Sequence, residues 1–183
     1  MKSLWTQTLA ELDHVFAELK QDRVQLVVNE IANARTIVLY GVGREGLQIK
    51  GFAMRLYHLG LKVGVVGEMI APAIGPGDLL IVSAGPGQFA TVGALMTIAG
   101  AAGARVLVIT ADPQGNAAAQ ADLALVLPAQ TMASDRDGAT SVLPMGSLYE
   151  GALFLLLEII VPKLRHRLGV NPATMRANHT NLE

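Results

Sequence analysis

The sequence predicts an α/β fold: a three-layer αβα sandwich around a five-stranded parallel sheet in flavodoxin-like order. Three observations predict it. Five short apolar runs alternate with segments of helical periodicity, a pattern that demands crossover connections and hence parallel strands. The chain is 51% hydrophobic but only 4% aromatic, the aliphatic bias of strands covered on both faces. Two glycine loops, 41–46 and 84–88, follow the first and third apolar runs, where strand-to-helix turns of a doubly wound sheet stand. With 183 residues, one domain with a sizeable core is expected.

The elements follow in order. Trp5, Leu9, Leu12, Phe16 and Leu19 recur at spacings of four and three, one face of a helix expected to extend over about 3–31. That face can lie on its own core or against another subunit. "TIVLY" (36–40) is the first strand, and a helix follows the glycine loop to His58, with Gly60 as its stop. "LKVGVVG" (61–67) is the second strand, "GPGD" (75–78) a turn, and "DLLIVS" (78–83) the third strand. After the second glycine loop a helix runs to about Ala102, and "RVLVIT" (105–110) is the fourth strand. Asp112 and Pro113 carry the signature of a helix start. "DLALVLP" (122–128) is the fifth strand. A helix is expected from Gly146 to Leu168, kinked or divided at Pro162, and Asn171–Pro172 opens a short last helix. The irregular stretch 129–144 is rich in Ser, Thr, Asp and Gly, as loops beside sites and interfaces are.

Composition removes several function classes. No cysteine is present, which excludes disulfides, thiolate catalysis and cysteine–zinc sites. The formal net charge is −1 with no basic block, so no nucleic-acid partner is expected. The N-terminus lacks the pattern of a signal peptide. The most apolar stretch, Leu153 to Val161, is interrupted by Glu158 and too short for a bilayer. The chain therefore reads as soluble and cytoplasmic, with no membrane partner. Charged residues make up only 16%, which points to an apolar face hidden in a homo-oligomer.

In the flavodoxin-like order the first and third strands are neighbours, so both glycine loops open onto one crevice beyond the carboxyl ends of the strands. "GVGREG" (41–46) is half of a dinucleotide fingerprint, with Glu68 near the end of the second strand; a ligand-free tight turn is the plainer alternative. Arg44 stands at a helix N-terminus, where a cation beside unpaired N–H groups favours an anion. His58 and Arg55 read as packing residues of their helix.

The segments "GVGREGLQIKGFAMRLYHLG" (41–60), "PMGSLYEGAL" (144–153) and "HTNLE" (179–183) resemble the matching segments of 6-phospho-3-hexuloisomerases, members of the SIS (sugar isomerase) superfamily. The glycine-loop match carries mainly the superfamily; "MGSLYE" and the C-terminus point to the isomerases. The resemblance implies an SIS fold and reversible conversion of 3-hexulose 6-phosphate to fructose 6-phosphate through an enediol, with no metal or cofactor. It makes Glu150 the candidate base and His179 the candidate proton shuttle. It places Gly41, Gly43, Arg44, Glu45, Ser83, Gly85, Gly87 and Gln88 around a sugar or sugar phosphate. It also implies a tetramer, or at least a dimer, in which the tail of one subunit closes the site of another.

The phosphate-holding loop departs from the family pattern. A second loop of the type "SGSGET" is replaced by "AGPGQF" (84–89), and Glu45 stands where a serine is usual. Ala84, Pro86 and Phe89 thus remove three hydroxyls, each hydrogen bond to a charged group being worth roughly 1.5–3 kcal/mol. Ser83, Thr91, Gln88 or Arg44 are the substitutes at hand. Three readings stay open: a phosphosugar isomerase with an altered cradle, an isomerase of a neutral sugar or polyol, and a non-catalytic sugar-binding module.

Overall fold

A computed structural model describes residues 3–136 and 141–182. Residues 137–140 of the irregular stretch, and Glu183 of the terminal motif, lie outside the described residues. Two N-terminal helices, α1 (Leu4–Ala17) and α2 (Gln21–Asn33), lead into β1 (Ile37–Gly41), α3 (Gly43–His58), β2 (Val63–Val65) and β3 (Leu79–Ser83). Then follow α4 (Ala90–Ala101), β4 (Arg105–Thr110), α5 (Asn116–Gln120), β5 (Leu123–Val126), α6 (Ser147–Leu168) and α7 (Pro172–Ala177).

The five strands form one parallel sheet in the order β2-β1-β3-β4-β5, the flavodoxin-like order expected. Successive residues of the strands feed opposite faces. Ile37, Leu39, Ile81, Leu107 and Ile109 join a core with α2, α3 and α6. Val38, Leu80, Val82, Val106 and Val108 join a second core with α4 and α5. Both faces are dry, which is why the strands read as unbroken apolar runs rather than alternating ones.

Four local expectations change. The single helix over 3–31 is two helices, because Lys20 is extended (φ −74, ψ 108). The break lets Val24, Val27, Val28 and Ile31 of α2 turn into the core. Along α1, Leu12 and Phe16 pack inward, whereas Trp5 and Leu9 stay 77% and 66% exposed. The second strand keeps only three of the residues expected, as befits a sheet edge with one neighbour. The helix expected at Asp112–Pro113 starts later, at Asn116. Asp112 instead accepts the Gln114 N–H at 2.9 Å in a turn, and the Ala117 N–H is held by the carbonyl of Gly87 at 3.0 Å. Finally, α6 runs undivided through Pro162; its buried side packs on α2 and α3 and holds it together. The Asn171–Pro172 start is as read, with the Asn171 side chain accepting the Thr174 N–H at 2.8 Å.

Candidate active site

Pairing of Gly41 with Ser83 in the β1–β3 ladder sets the two glycine loops side by side at the carboxyl edge of the sheet. The first loop folds back tightly. A Cβ on Gly46 would lie 2.5 Å from the Gly41 carbonyl oxygen, and Gly43 has φ +57. In the second loop a Cβ on Gly85 would meet the Tyr149 ring at 2.8 Å and a Glu45 carboxylate oxygen at 3.0 Å. Gly87, at φ +89, is pressed against Asp112. Between the loops lies a cleft of about 420 Å³.

Glu45 and Ser83 form the underpinning of this cleft. Oε2 of Glu45 accepts the Ser83 hydroxyl at 2.5 Å and the Gly85 N–H at 3.0 Å. The Tyr149 hydroxyl donates to the Ile109 carbonyl at 3.0 Å and lies 3.2 Å from Ser83 Oγ. Burial pushes the Glu45 carboxyl up from its ordinary pKa, against the two hydrogen bonds it accepts. Burial, and then the charge of Glu45, push the Tyr149 phenol well up. Ser83, expected at the ligand, is fully buried and its hydroxyl is engaged by Glu45. Glu45 lines the cleft floor, but its carboxylate clamps the second loop rather than projecting as a bare charge toward a ligand.

Arg44 joins the first loop to the start of α6. It donates from Nη1 to Ser147 Oγ at 2.9 Å and from Nη2 to the Met145 carbonyl at 2.5 Å, and its Nε lies 3.0 Å from Oε2 of Glu150. The α6 start is a tight entry: Met145 and Gly146 have φ +54 and +80, and a Cβ on Gly146 would strike the Met132 nitrogen at 2.6 Å. Glu150 stands on the cleft wall with its side chain 17% exposed. Burial raises its pKa from the ordinary glutamate value, and Arg44 opposes the rise.

Three helices begin at this cleft. Val42, Phe89 and Gly146 are the N-caps of α3, α4 and α6, all three line the cleft, and none has a side-chain capping bond. First-turn N–H groups lack intrahelical acceptors, and each helix start carries a partial positive charge; at α6 the Ser147 and Tyr149 N–H groups are taken by the Pro144 and Gln130 carbonyls. Their convergence can hold an anion without side-chain hydroxyls. Pro86, Phe89 and Met132 supply apolar wall.

Two expected residues lie elsewhere. Gln88 turns away from the cleft and accepts the Asn116 side-chain N–H at 2.7 Å, beside a separate cavity lined by Thr97 and Gln120. His179 lies against His58, ring centroids 5.1 Å apart, and the Asn178 side chain donates to the His58 carbonyl at 3.0 Å. Arg44 and His58 sit at opposite ends of α3, so His179 and Glu150 of one chain are separated by about 20 Å along the helix. Tyr149, Thr131, Met132 and Met145, which also line the cleft, were not expected. Met145 and Tyr149 had a signal, their place in "MGSLYE". Among the described residues no group of three His, Asp or Glu side chains could hold a metal ion.

The fold has known counterparts. The family profile of the SIS domain matches residues 30–153. A 3-hexulose-6-phosphate isomerase of Bacillus subtilis is 32% identical over 97% of this chain and 96% of its own. One from Methylomonas aminofaciens is 37% identical over 91% and 90% of the two chains. A Methanococcus jannaschii protein, whose crystal structure is described as inferring a 3-hexulose-6-phosphate isomerase function, superposes with a TM-score of 0.82 at 27% identity, covering 98% of this chain and 97% of that one.

Proposed function

The chain belongs to the SIS domain family, and from that membership we propose that it is a sugar-phosphate isomerase interconverting 3-hexulose 6-phosphate and fructose 6-phosphate. The observation that carries the reading is the cleft where the starts of α3, α4 and α6, none with a side-chain cap, meet the Glu150 carboxylate. An anion-holding end and a proton-transferring group share one space, as an enediol isomerisation of a phosphate ester requires. Relatives of that activity, similar over nearly the whole chain, support the same substrate.

The reaction moves a carbonyl from C3 to C2. Glu150 takes the proton from C2, the electron pair forms the C2–C3 double bond of the enediol, and the proton on O2 passes to O3. Reprotonation at C3 by the acid form of Glu150 leaves the carbonyl at C2. A carboxylate whose pKa is raised by burial is a stronger base than a solvated one. The Arg44 guanidinium orients it and offsets negative charge that develops on the enediol oxygens. The apolar wall of Pro86 and Phe89 limits water at the intermediate.

His179 enters this scheme from a second copy of the chain, whose tail supplies the shuttle between O2 and O3. The 20 Å gap within one chain is then bridged by assembly rather than by movement. A homo-oligomer, dimer or tetramer, is in keeping with exposed Leu4, Trp5 and Leu9 on α1 and Phe154 and Ile159 on α6. No helix among the described residues is long and apolar enough to cross a membrane, and a cytoplasmic enzyme of phosphorylated sugars fits.

The test is turnover. The protein should form fructose 6-phosphate from 3-hexulose 6-phosphate and leave unphosphorylated ketohexoses unchanged. The loss of loop hydroxyls at Ala84, Pro86 and Phe89 favours one rival, an isomerase of neutral sugars. Turnover of the free ketose alone would establish the rival and overturn the proposal.

A further inference from the structure

The chain enters α6 through a strained residue. Met145 has φ +54, a left-handed conformation that is unfavourable for a residue with a side chain. Its backbone is held at both polar groups: the N–H donates to the Asp135 carboxylate, and the carbonyl accepts from Arg44 Nη2. Just upstream, the same segment is tied to the first helix. Oε2 of Glu11 accepts the Ser141 hydroxyl at 2.6 Å, and Oε1 accepts the Val142 N–H at 2.9 Å. Ser141 Oγ in turn accepts the Leu143 N–H at 3.0 Å, and Leu143 packs against the core beneath α2, α3 and α6. The segment then delivers Met145 and Ser147, which take the two Nη groups of Arg44, and Arg44 Nε lies 3.0 Å from Glu150.

We propose that Glu11 is a positioning residue for Glu150, acting through the 141–147 segment and Arg44. The proposal rests on Glu150 being the base of the cleft. A left-handed residue persists only where its surroundings over-determine it. Releasing Ser141 and Val142 removes the upstream part of that hold. Met145 can then relax and turn its carbonyl, and Arg44 loses an acceptor that aims its guanidinium. A carboxylate suits the task because its two oxygens take a hydroxyl and a backbone N–H from consecutive residues at once, as charge-assisted bonds. Glu11 also stands on the helix whose outer face carries exposed Trp5 and Leu9, so the tie joins that helix to the wall of the cleft. A simpler role is to pin a loop for stability alone. That role requires no effect on Glu150, whose charged neighbours are Arg44, 3.0 Å away, and Glu45, both at the start of α3.

The titration of Glu150 separates the two roles. Arg44 lowers the pKa that burial raises, so a displaced Arg44 moves it up. In the substrate-free protein, the carboxyl carbon resonance of Glu150, assigned by its absence in Glu150→Gln, should titrate at higher pH in Glu11→Ala than in the native chain. Ser141→Ala, which keeps the Val142 bond, should move it the same way by less. Asp13→Asn, at an exposed position of α1, should leave it in place. Turnover of 3-hexulose 6-phosphate by Glu11→Ala should fall about ten-fold, in kcat rather than KM. On the Arg44→Met background the same change should cost nothing further, because the two residues act in series. An unmoved titration in Glu11→Ala would overturn the proposal, and with a lowered melting temperature it would leave Glu11 as a support of the fold. A loss that multiplies with that of Arg44→Met would overturn it as well. The carboxyl signal needs no substrate, so a native protein without turnover would contradict the isomerase reading while the titration still decides the role of Glu11.

Discussion

Glu150 is asked to do chemistry, and its surroundings set how it will titrate. Burial raises its pKa and the Arg44 guanidinium, 3.0 Å away, lowers it. Because the base must be ionised, kcat/KM should fall as pH drops through a value above that of ordinary glutamate. Arg44→Met removes the opposing charge, so the acid limb should move to higher pH along with a loss of rate; a limb that stays in place or moves down would separate Arg44 from Glu150. Glu45, four residues from the first glycine, shows why chemistry at this scale is only half legible. Its charge was evident from the sequence, but the partner that neutralises its effect, the Gly85 N–H together with Ser83, is a backbone group 40 residues away. Gln88 misleads for a similar reason: its side chain is engaged by Asn116, 28 residues away, which no local pattern reveals.

Among the elements, the α6 start and the second glycine loop are fitted to each other. Gly85→Ala would drive a methyl toward the Tyr149 ring and the Glu45 carboxylate, 2.8 and 3.0 Å away. Overpacking of this kind costs about 1–3 kcal/mol, so the denaturant midpoint should fall and the cleft should lose activity with it; an unchanged midpoint would mean the loop has slack. Pro162 sits on the exposed side of α6 and leaves the Glu158 carbonyl without its usual helical donor. Replacing it by Ala should stabilise the protein by about 1–3 kcal/mol, read as a higher denaturant midpoint. A third element-level device is acid-sensitive. Two hydrogen bonds from Arg35, at 2.9 and 2.8 Å, hold the Asp78 carboxyl well below the usual carboxylate range. Its folded pKa is depressed, so the stability it contributes is present above the ordinary aspartate value and is lost as pH falls below it. The gap in melting temperature between the native protein and Asp78→Asn should therefore be widest near neutrality and close in acid. All five strands and the two glycine loops were legible, because apolar runs and glycines act over few residues. The break at Lys20 and the late start of α5 were not, since each is set by contacts between elements distant in sequence.

For the whole molecule, the doubly wound topology gathers the N-termini of α3, α4 and α6 at one cleft and leaves the tail at the far end of α3. The proposed shuttle then needs a second subunit. Trp5→Ser with Leu9→Ser should shift sedimentation toward a smaller species and depress turnover, whereas an unchanged oligomer would move the interface off α1. Mixed oligomers of Glu150→Gln and His179→Gln chains should recover activity above the sum of the two, since some clefts regain both groups. The most direct test of the cleft itself is solvent-proton exchange. In D₂O the native protein should wash deuterium into fructose 6-phosphate at a carbon beside the carbonyl, and Glu150→Gln should slow this by about 10²- to 10⁴-fold. Exchange at the native rate in the variant would contradict the assignment of this cleft and this carboxylate to the isomerisation.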